Sequence, residues 1–160
     1  MISNKPYSNK IEMKNKYFII LIFLILAIFL CICFYPQKLK KTDLTILTET
    51  GKTTYHVEVA DTVYSRKKGL MHRKSMPQNH GMLFIFDKPQ LITMWMKNTY
   101  IPLDMIFLDK NGKIIWIHEN AKPFDESIIS SHFPASFVIE LNAGQVKEKN
   151  IQTLNQVIGL

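Results

Sequence analysis

Three features of the chain beyond residue 50 predict a mainly β domain. Apolar and polar residues alternate in short runs, Gly, Asn and Pro turn signals separate those runs, and helical periodicity is confined to a few residues. The expected architecture is mainly β (α+β): a curved antiparallel sheet or partly closed barrel with one or two short helices, preceded by a single N-terminal transmembrane helix. In order, the chain reads as a basic N-terminal flank (1–16), a transmembrane anchor (17–35), a linker (36–51) and the β-rich domain (52–160).

The anchor rests on the run from Tyr17 to Tyr35, which holds no charged residue, Pro or Gly. As a helix, its 19 residues would extend about 28 Å, close to the hydrocarbon thickness of a bilayer. Tyr17, Phe34 and Tyr35 put aromatic rings at both ends, where amphipathic rings suit the interface. A cleaved signal peptide would have a shorter apolar core and small residues at its exit. This exit reads Cys31-Ile32-Cys33-Phe34-Tyr35-Pro36, so an uncleaved signal-anchor is expected. Lys5, Lys10, Lys14 and Lys16 ahead of the run argue for an internal N-terminus and an extracytoplasmic C-terminal domain, a bias that Lys38, Lys40 and Lys41 weaken.

The formal charge of +7 divides unevenly, with +6 on residues 1–41 and +1 on residues 42–160. The excess is a membrane-flank feature, and no nucleic-acid partner is expected. Cys31 and Cys33 both lie in the apolar run, which leaves the domain without a disulfide, a thiol nucleophile or a thiolate metal site.

Within the domain, Tyr55, Val57 and Val59 alternate with His56 and Glu58 as in a half-buried strand. Asp61 or Thr62 can cap a short helix through Lys68, which Gly69 is suited to end. Strands are expected over 82–86, 91–99 and 103–108. Asn111-Gly112 predicts a two-residue type I′ hairpin turn that pairs 103–108 with 114–118. Residues 121–134, with Pro123 and Pro134, read as irregular. A strand over 136–142 stops at Gly144, and a helical turn near 145–150 leads to a last strand near 152–158.

Charged and amide groups stand in these segments among residues apolar enough for a core, where a polar group is costly unless partnered. On 136–142, Phe137, Ile139 and Leu141 share one face, and Ser136, Val138, Glu140 and Asn142 the other. Asp104 shares a face with Ile106 and Leu108, and Trp95 with Lys97 and Thr99. The candidate ligand-binding cleft therefore comprises Arg66, Arg73, Trp95, Lys97, Asn98, Asp104, Glu140 and Asn142. A bland reading stands beside it: a buried Arg66–carboxylate pair could simply hold helix and strand in register, and breaking such a pair costs about 3–5 kcal/mol. A catalytic reading makes Glu140 and Asp104 acid and base, as in glycoside hydrolysis, provided their separation suits a sugar bond. His72, Met76 and His80 are spaced by four residues and offer soft donors for copper. Pro77 interrupts that face, and neither a metal nor a cofactor is expected.

Several blocks recur in a telling order: Arg66, Gly69-Leu70-Met71 and Arg73; Gly81-Met82 with Phe84; Trp95-Met96 with Asn98-Thr99; Pro102, Asp104, Asp109 and Gly112; Glu140-Leu141-Asn142 with Gly144. Their order and spacing resemble the family known as domain of unknown function 192. The resemblance covers roughly residues 55–144. It implies a compact β-rich domain, often secreted or membrane-tethered in bacteria, and no established reaction. Two departures stand out: Met94 occupies a position where an aromatic commonly precedes the Trp, and Leu154-Asn155 replaces an expected Gly-Asp pair.

The chain is accordingly read as a single-pass protein of the bacterial inner membrane, held there by Tyr17 to Tyr35, with an extracytoplasmic (periplasmic) domain. That domain is expected to be a binding or accessory module for a small ligand, a peptide or an envelope glycan rather than an enzyme. The alternatives are an envelope hydrolase or lyase using Glu140 and Asp104 with Arg66 as electrostatic stabiliser, and a structural partner of another envelope protein.

Overall fold

A computed structural model describes residues 5–34 and 38–160, with side chains from 15 to 30 and from 38 onward. The chain divides into two units, Met1–Lys38 and Leu39–Leu160. In the first, helix α1 (Lys5–Phe34) is continuous, and its described large apolar side chains, from Tyr17 to Leu30, are 46–69 % exposed. Of the expected membrane span, Tyr35 lies outside the described residues, as do the side chains of residues 31–34. Among the described residues no helix is long and apolar enough to cross a membrane.

In chain order the second unit comprises β1 (Lys41–Thr48), β2 (Gly51–Ala60), α2 (Val63–Lys68), β3 (His80–Gln90), β4 (Thr93–Met94), β5 (Leu103–Leu108), β6 (Ile114–Ala121), β7 (Ile129–Ser130), β8 (Ala135–Asn142), α3 (Gln145–Glu148) and β9 (Gln156–Ile158). Seven strands form one sheet in the order β6-β5-β8-β3-β2-β1-β9, and β4 pairs separately with β7. Every neighbour in the large sheet is antiparallel except β2 and β3, which run parallel. A parallel pair needs a crossover longer than a hairpin, and residues 61–79, with α2, supply it. The sheet is thus mainly antiparallel and curved, as expected, with one parallel pair that the sequence did not signal. It curls into a half-barrel whose edges touch: Lys113 bridges Gln156, the Val157 N–H donates to the Gly112 carbonyl at 2.8 Å, and the Ile114 N–H donates to Asn155 at 3.0 Å.

Three local expectations need correction. The stretch read as a linker carries β1, whose Leu44 and Ile46 are fully buried while Asp43 and Leu47 face out. The strand expected over 91–99 shrinks to β4, because Met96, Thr99 and Ile92 turn inward at irregular spacing. At the β5–β6 turn Gly112 alone takes a positive φ, 79°, so the connection is not type I′. Instead the Asp109 carboxylate accepts the N–H groups of Asn111 (2.8 Å) and Lys113 (3.0 Å), the Gly112 N–H donates to the Asp109 carbonyl, and a register shift follows in β5–β6. That is the three-residue turn with a glycine bulge.

Strand alternation splits the core in two. Inside the curl, Leu44, Tyr55, Val57, Ile106, Ile139 and Leu141 pack together with Val146 of α3. On the outer face, Met82, Phe84, Met105, Phe107 and Val138 are covered by Leu70 after α2 and by Ile92, Met96 and Ile101 from the β3–β5 connection. Helix α2 begins as expected at Thr62, whose hydroxyl accepts the Ser65 N–H while the Ser65 hydroxyl accepts the Thr62 N–H, and it ends at Gly69 with φ 47°.

The departure at Leu154-Asn155 is accommodated with strain. Leu154 adopts φ 73°, a conformation that disfavours a branched side chain, yet it is 69 % exposed and packs little. Its N–H donates to Ile114 at 2.8 Å, so the turn is held by the edge-to-edge closure. Leu154→Gly is expected to stabilise the domain by about 1 kcal/mol, read as a raised urea midpoint with unchanged slope. A lowered midpoint would mean that the Leu side chain contributes packing.

Candidate functional site

A cleft of about 550 Å³ opens on the outer face between α2 and the β3–β5 connection. Phe84, Phe86, Leu70 and Met94 give it apolar walls, Trp95 and Ile128 stand on one side, and Arg66, Lys67 and Lys68 on the other. Glu140 faces it from β8.

The position of Glu140 follows from register. Glu58, Met82, Glu140 and Met105 lie opposite one another on β2, β3, β8 and β5, forming a row across the outer face. The carboxyl thus lies between two fully buried methionines and is itself only 4 % exposed. Among the described residues it makes no hydrogen bond, and desolvation pushes its pKa up to about 8, against a smaller opposing pull from Arg73. At neutral pH it is therefore largely a neutral carboxylic acid, able to donate a hydrogen bond.

At the end of that row, Arg73 grips Glu58 with two parallel bonds of 2.9 and 2.6 Å. This bidentate bond holds the Glu58 carboxyl below the usual carboxylate range and raises Arg73. Arg73 is thus committed to Glu58, a residue that strand alternation placed correctly but that sequence reasoning left out of the site.

Arg66, unlike Arg73, has no carboxylate partner among the described residues. Its guanidinium donates to the carbonyls of Asp61 (2.7 Å) and Ile85 (2.8 Å) and lies 5.1 Å over the Phe86 ring. The expected Arg66–carboxylate pair is corrected: this Arg ties α2 to β3 and forms part of the cleft wall. Trp95 is 41 % exposed and carries the Lys97 ammonium at 5.2 Å from its ring, with Glu126 3.5 Å from the same ammonium.

Asp104 is elsewhere. It pairs across to Leu141 on the inner face, whereas Glu140 is on the outer, so the two carboxylates lie on opposite sides of the sheet. Its oxygens accept the N–H groups of Asn120 and Val146, each at 2.9 Å, joining β5 to the end of β6 and to α3. Above it Tyr55 donates to Gln145 at 3.2 Å, and burial pushes the phenol up to about 12. The acid–base pairing of Glu140 with Asp104 is thereby removed. Asn142 donates to the carbonyls of Met76 (2.9 Å) and Pro77 (3.2 Å), and Asn98, exposed at φ 53°, accepts the His72 N–H through its carbonyl. Both shape loops outside the cleft.

Of the eight expected site residues, Arg66, Trp95 and Glu140 line the cleft, and Lys97 touches it through Trp95. Arg73, Asn98, Asp104 and Asn142 serve the fold. Sequence reasoning missed Lys67, Lys68 and the Thr99 and Ile128 contributions; the Gly69-Leu70-Met71 block beside the two lysines was the available signal. Among the described residues no three His, Cys, Asp or Glu side chains converge as metal donors.

The fold and cleft define a half-barrel domain with one buried acid facing a hollow on its outer face. The chain belongs to the DUF192 family, described as uncharacterised ACR, whose model matches residues 45–158. A crystal structure of a "putative transcription regulator" from Sinorhizobium meliloti 1021 is similar at 41 % identity and a TM-score of 0.76, over 78 % of this chain and 98 % of that one. A protein of unknown function from Novosphingobium aromaticivorans DSM 12444 is similar at 33 % identity and a TM-score of 0.73, over 74 % of this chain and 85 % of that one. No curated protein matches.

Proposed function

We propose that this is a membrane-anchored, extracytoplasmic binding domain whose outer-face cleft takes a small, largely apolar ligand bearing one polar group. The observation that carries the reading is Glu140, a buried residue whose carboxyl oxygens open onto the cleft and have no protein hydrogen-bond partner among the described residues. A polar group in that setting is costly unless something pairs with it, and a ligand acceptor reaching the cleft floor would do so. The apolar walls, the exposed Trp95 and the half-open mouth suit such a ligand. Anchoring rests on the uncharged run Tyr17 to Tyr35, whose described apolar side chains need a cover that water does not supply.

The Sinorhizobium relative's designation as a transcription regulator carries no nucleic-acid role to this chain, since the domain from residue 42 carries only +1 and the lysines at the cleft mouth form a local group, not a stripe. A relative 98 % covered by this domain crystallised as such, which makes residues 36–160 a sound test object. The fluorescent probe 1-anilinonaphthalene-8-sulfonate, apolar and anionic, is expected to bind it at one site. Thr93→Trp, at an exposed position lining the cleft, should fill the mouth and weaken the probe by roughly ten-fold or more, about 1.4 kcal/mol. Binding left unchanged by that variant would place the probe elsewhere and sink the cleft as a ligand site.

A further inference from the structure

The rim of the cleft has a chemistry that its interior does not need. On α2, Val63 and Tyr64 are exposed one turn before Lys67 and Lys68, so apolar and cationic side chains alternate on one helical face. Across the mouth, Ile128 stands out with Trp95, and Leu91 is exposed just before β4, whose Thr93 and Met94 line the cleft. Val63, Tyr64, Leu91 and Ile128 are 62–77 % exposed, whereas Leu70 and Phe84 in the walls are buried and Phe86 and Met94 half-buried. Among the described residues neither Lys67 nor Lys68 makes an ion pair, and the one acid at the mouth, Glu126, is engaged by Lys97. Aromatic and aliphatic side chains interleaved with free ammonium groups are what a protein presents to an anionic bilayer surface.

Only four residues, 35–38, separate Phe34 from Leu39 in the sequence, so an anchor at 17–35 would tether the domain to the leaflet on its own side. The chain then enters the second unit beside this end of the sheet. Leu39 packs against the outer core, and the Lys40 carbonyl accepts the Val59 N–H at 2.8 Å, three residues before the Thr62 cap of α2.

We propose that the cleft docks on the leaflet that holds the anchor and takes an anionic phospholipid, its phosphate against Lys67 and Lys68 and its acyl segment between Phe84, Phe86 and Met94. This deepens the binding-domain reading and rests on its membrane anchor. The ester carbonyl of such a lipid is an acceptor that Glu140 can meet.

The full chain, carrying Trp116→Phe so that Trp95 alone reports, is reconstituted into vesicles of brominated phosphatidylglycerol or brominated phosphatidylcholine. Quenching of Trp95 is expected in the first and not in the second. Lys67→Glu with Lys68→Glu, both exposed and outside the core, should shift the docked-to-undocked ratio by roughly thirty-fold, and added salt should act in the same direction. Carbonate washing separates the two readings. A chain retained in the membrane with Trp95 unquenched, or quenched equally in both lipids and in the charge-reversed variant, overturns lipid docking and leaves the anchor standing. A chain washed off overturns the anchor and the docking with it.

Discussion

Asp104→Ala is expected to destabilise the domain by about 2–3 kcal/mol, because it strands the buried Val146 N–H and the part-buried Asn120 N–H at once. The carboxylate is fully buried and accepts Asn120 N–H through one oxygen and Val146 N–H through the other, both at 2.9 Å. Each orphaned donor costs about 1–3 kcal/mol. Asn120 sits at φ 55°, so the segment it anchors cannot relax into an ordinary strand to find another acceptor. Asp104→Asn keeps one acceptor oxygen and should lose about half as much. Urea unfolding of residues 36–160 and both variants measures this directly. A loss below about 1 kcal/mol for Ala would mean that water replaces the carboxylate, and that α3 is not held to β5 in the way the geometry indicates.

Much of this arrangement was legible before any coordinates, because a strand repeats every two residues. Ile139 and Leu141 do point inward and Glu140 outward, and Asp104 does share the inner face with Ile106 and Leu108. What one strand cannot tell is how its faces match those of the next. A shift of one residue between β5 and β8 would have put Asp104 opposite Glu140 on one face; the actual register sets Asp104 against Leu141 and Met105 against Glu140. Two carboxylates that look like partners in sequence are therefore separated by the sheet. The Glu58–Arg73 pair escaped notice for a similar reason. It depends on the parallel pairing of β2 with β3 and on the return of the crossover loop, neither of which has a local signature.

Elsewhere composition misled. The Lys- and Thr-rich stretch read as a linker forms β1, since Thr suits strands and Leu44 and Ile46 supply the period-two burial that a glance at polarity overlooks. Gly81, part of the Gly81-Met82 block, is required by a close approach of strands: a Cβ there would lie 2.7 Å from the Glu140 carbonyl oxygen. The cleft itself is a tertiary product. Its walls come from α2, β3 and the irregular 91–99 segment, and it was the expected regular strand through Trp95 that hid how Thr99 and Met94 reach it.

Replacing Glu140 by Gln is expected to leave stability unchanged near pH 4.5 and to raise it by several kcal/mol at pH 9. An acid whose pKa is raised by folding, here from 4.5 to about 8, holds its proton more tightly in the native state than in the unfolded chain. Below pH 4.5 both states keep the proton and the native state suffers no penalty. As pH rises from there, the unfolded chain ionises freely while the native carboxyl does not, so stability falls by about 1.4 kcal/mol per pH unit. The loss levels off once pH passes about 8 and the native acid also ionises. Gln has nearly the shape of the protonated acid and no titration, so the difference between the two proteins isolates this one group. Urea unfolding at several pH values measures it, and a difference that does not vary with pH would mean that Glu140 is well solvated through the cleft. A confirmed slope would show a side chain retained at a net cost to the fold above neutral pH, the pattern expected of a group kept for what binds it rather than for what it holds together.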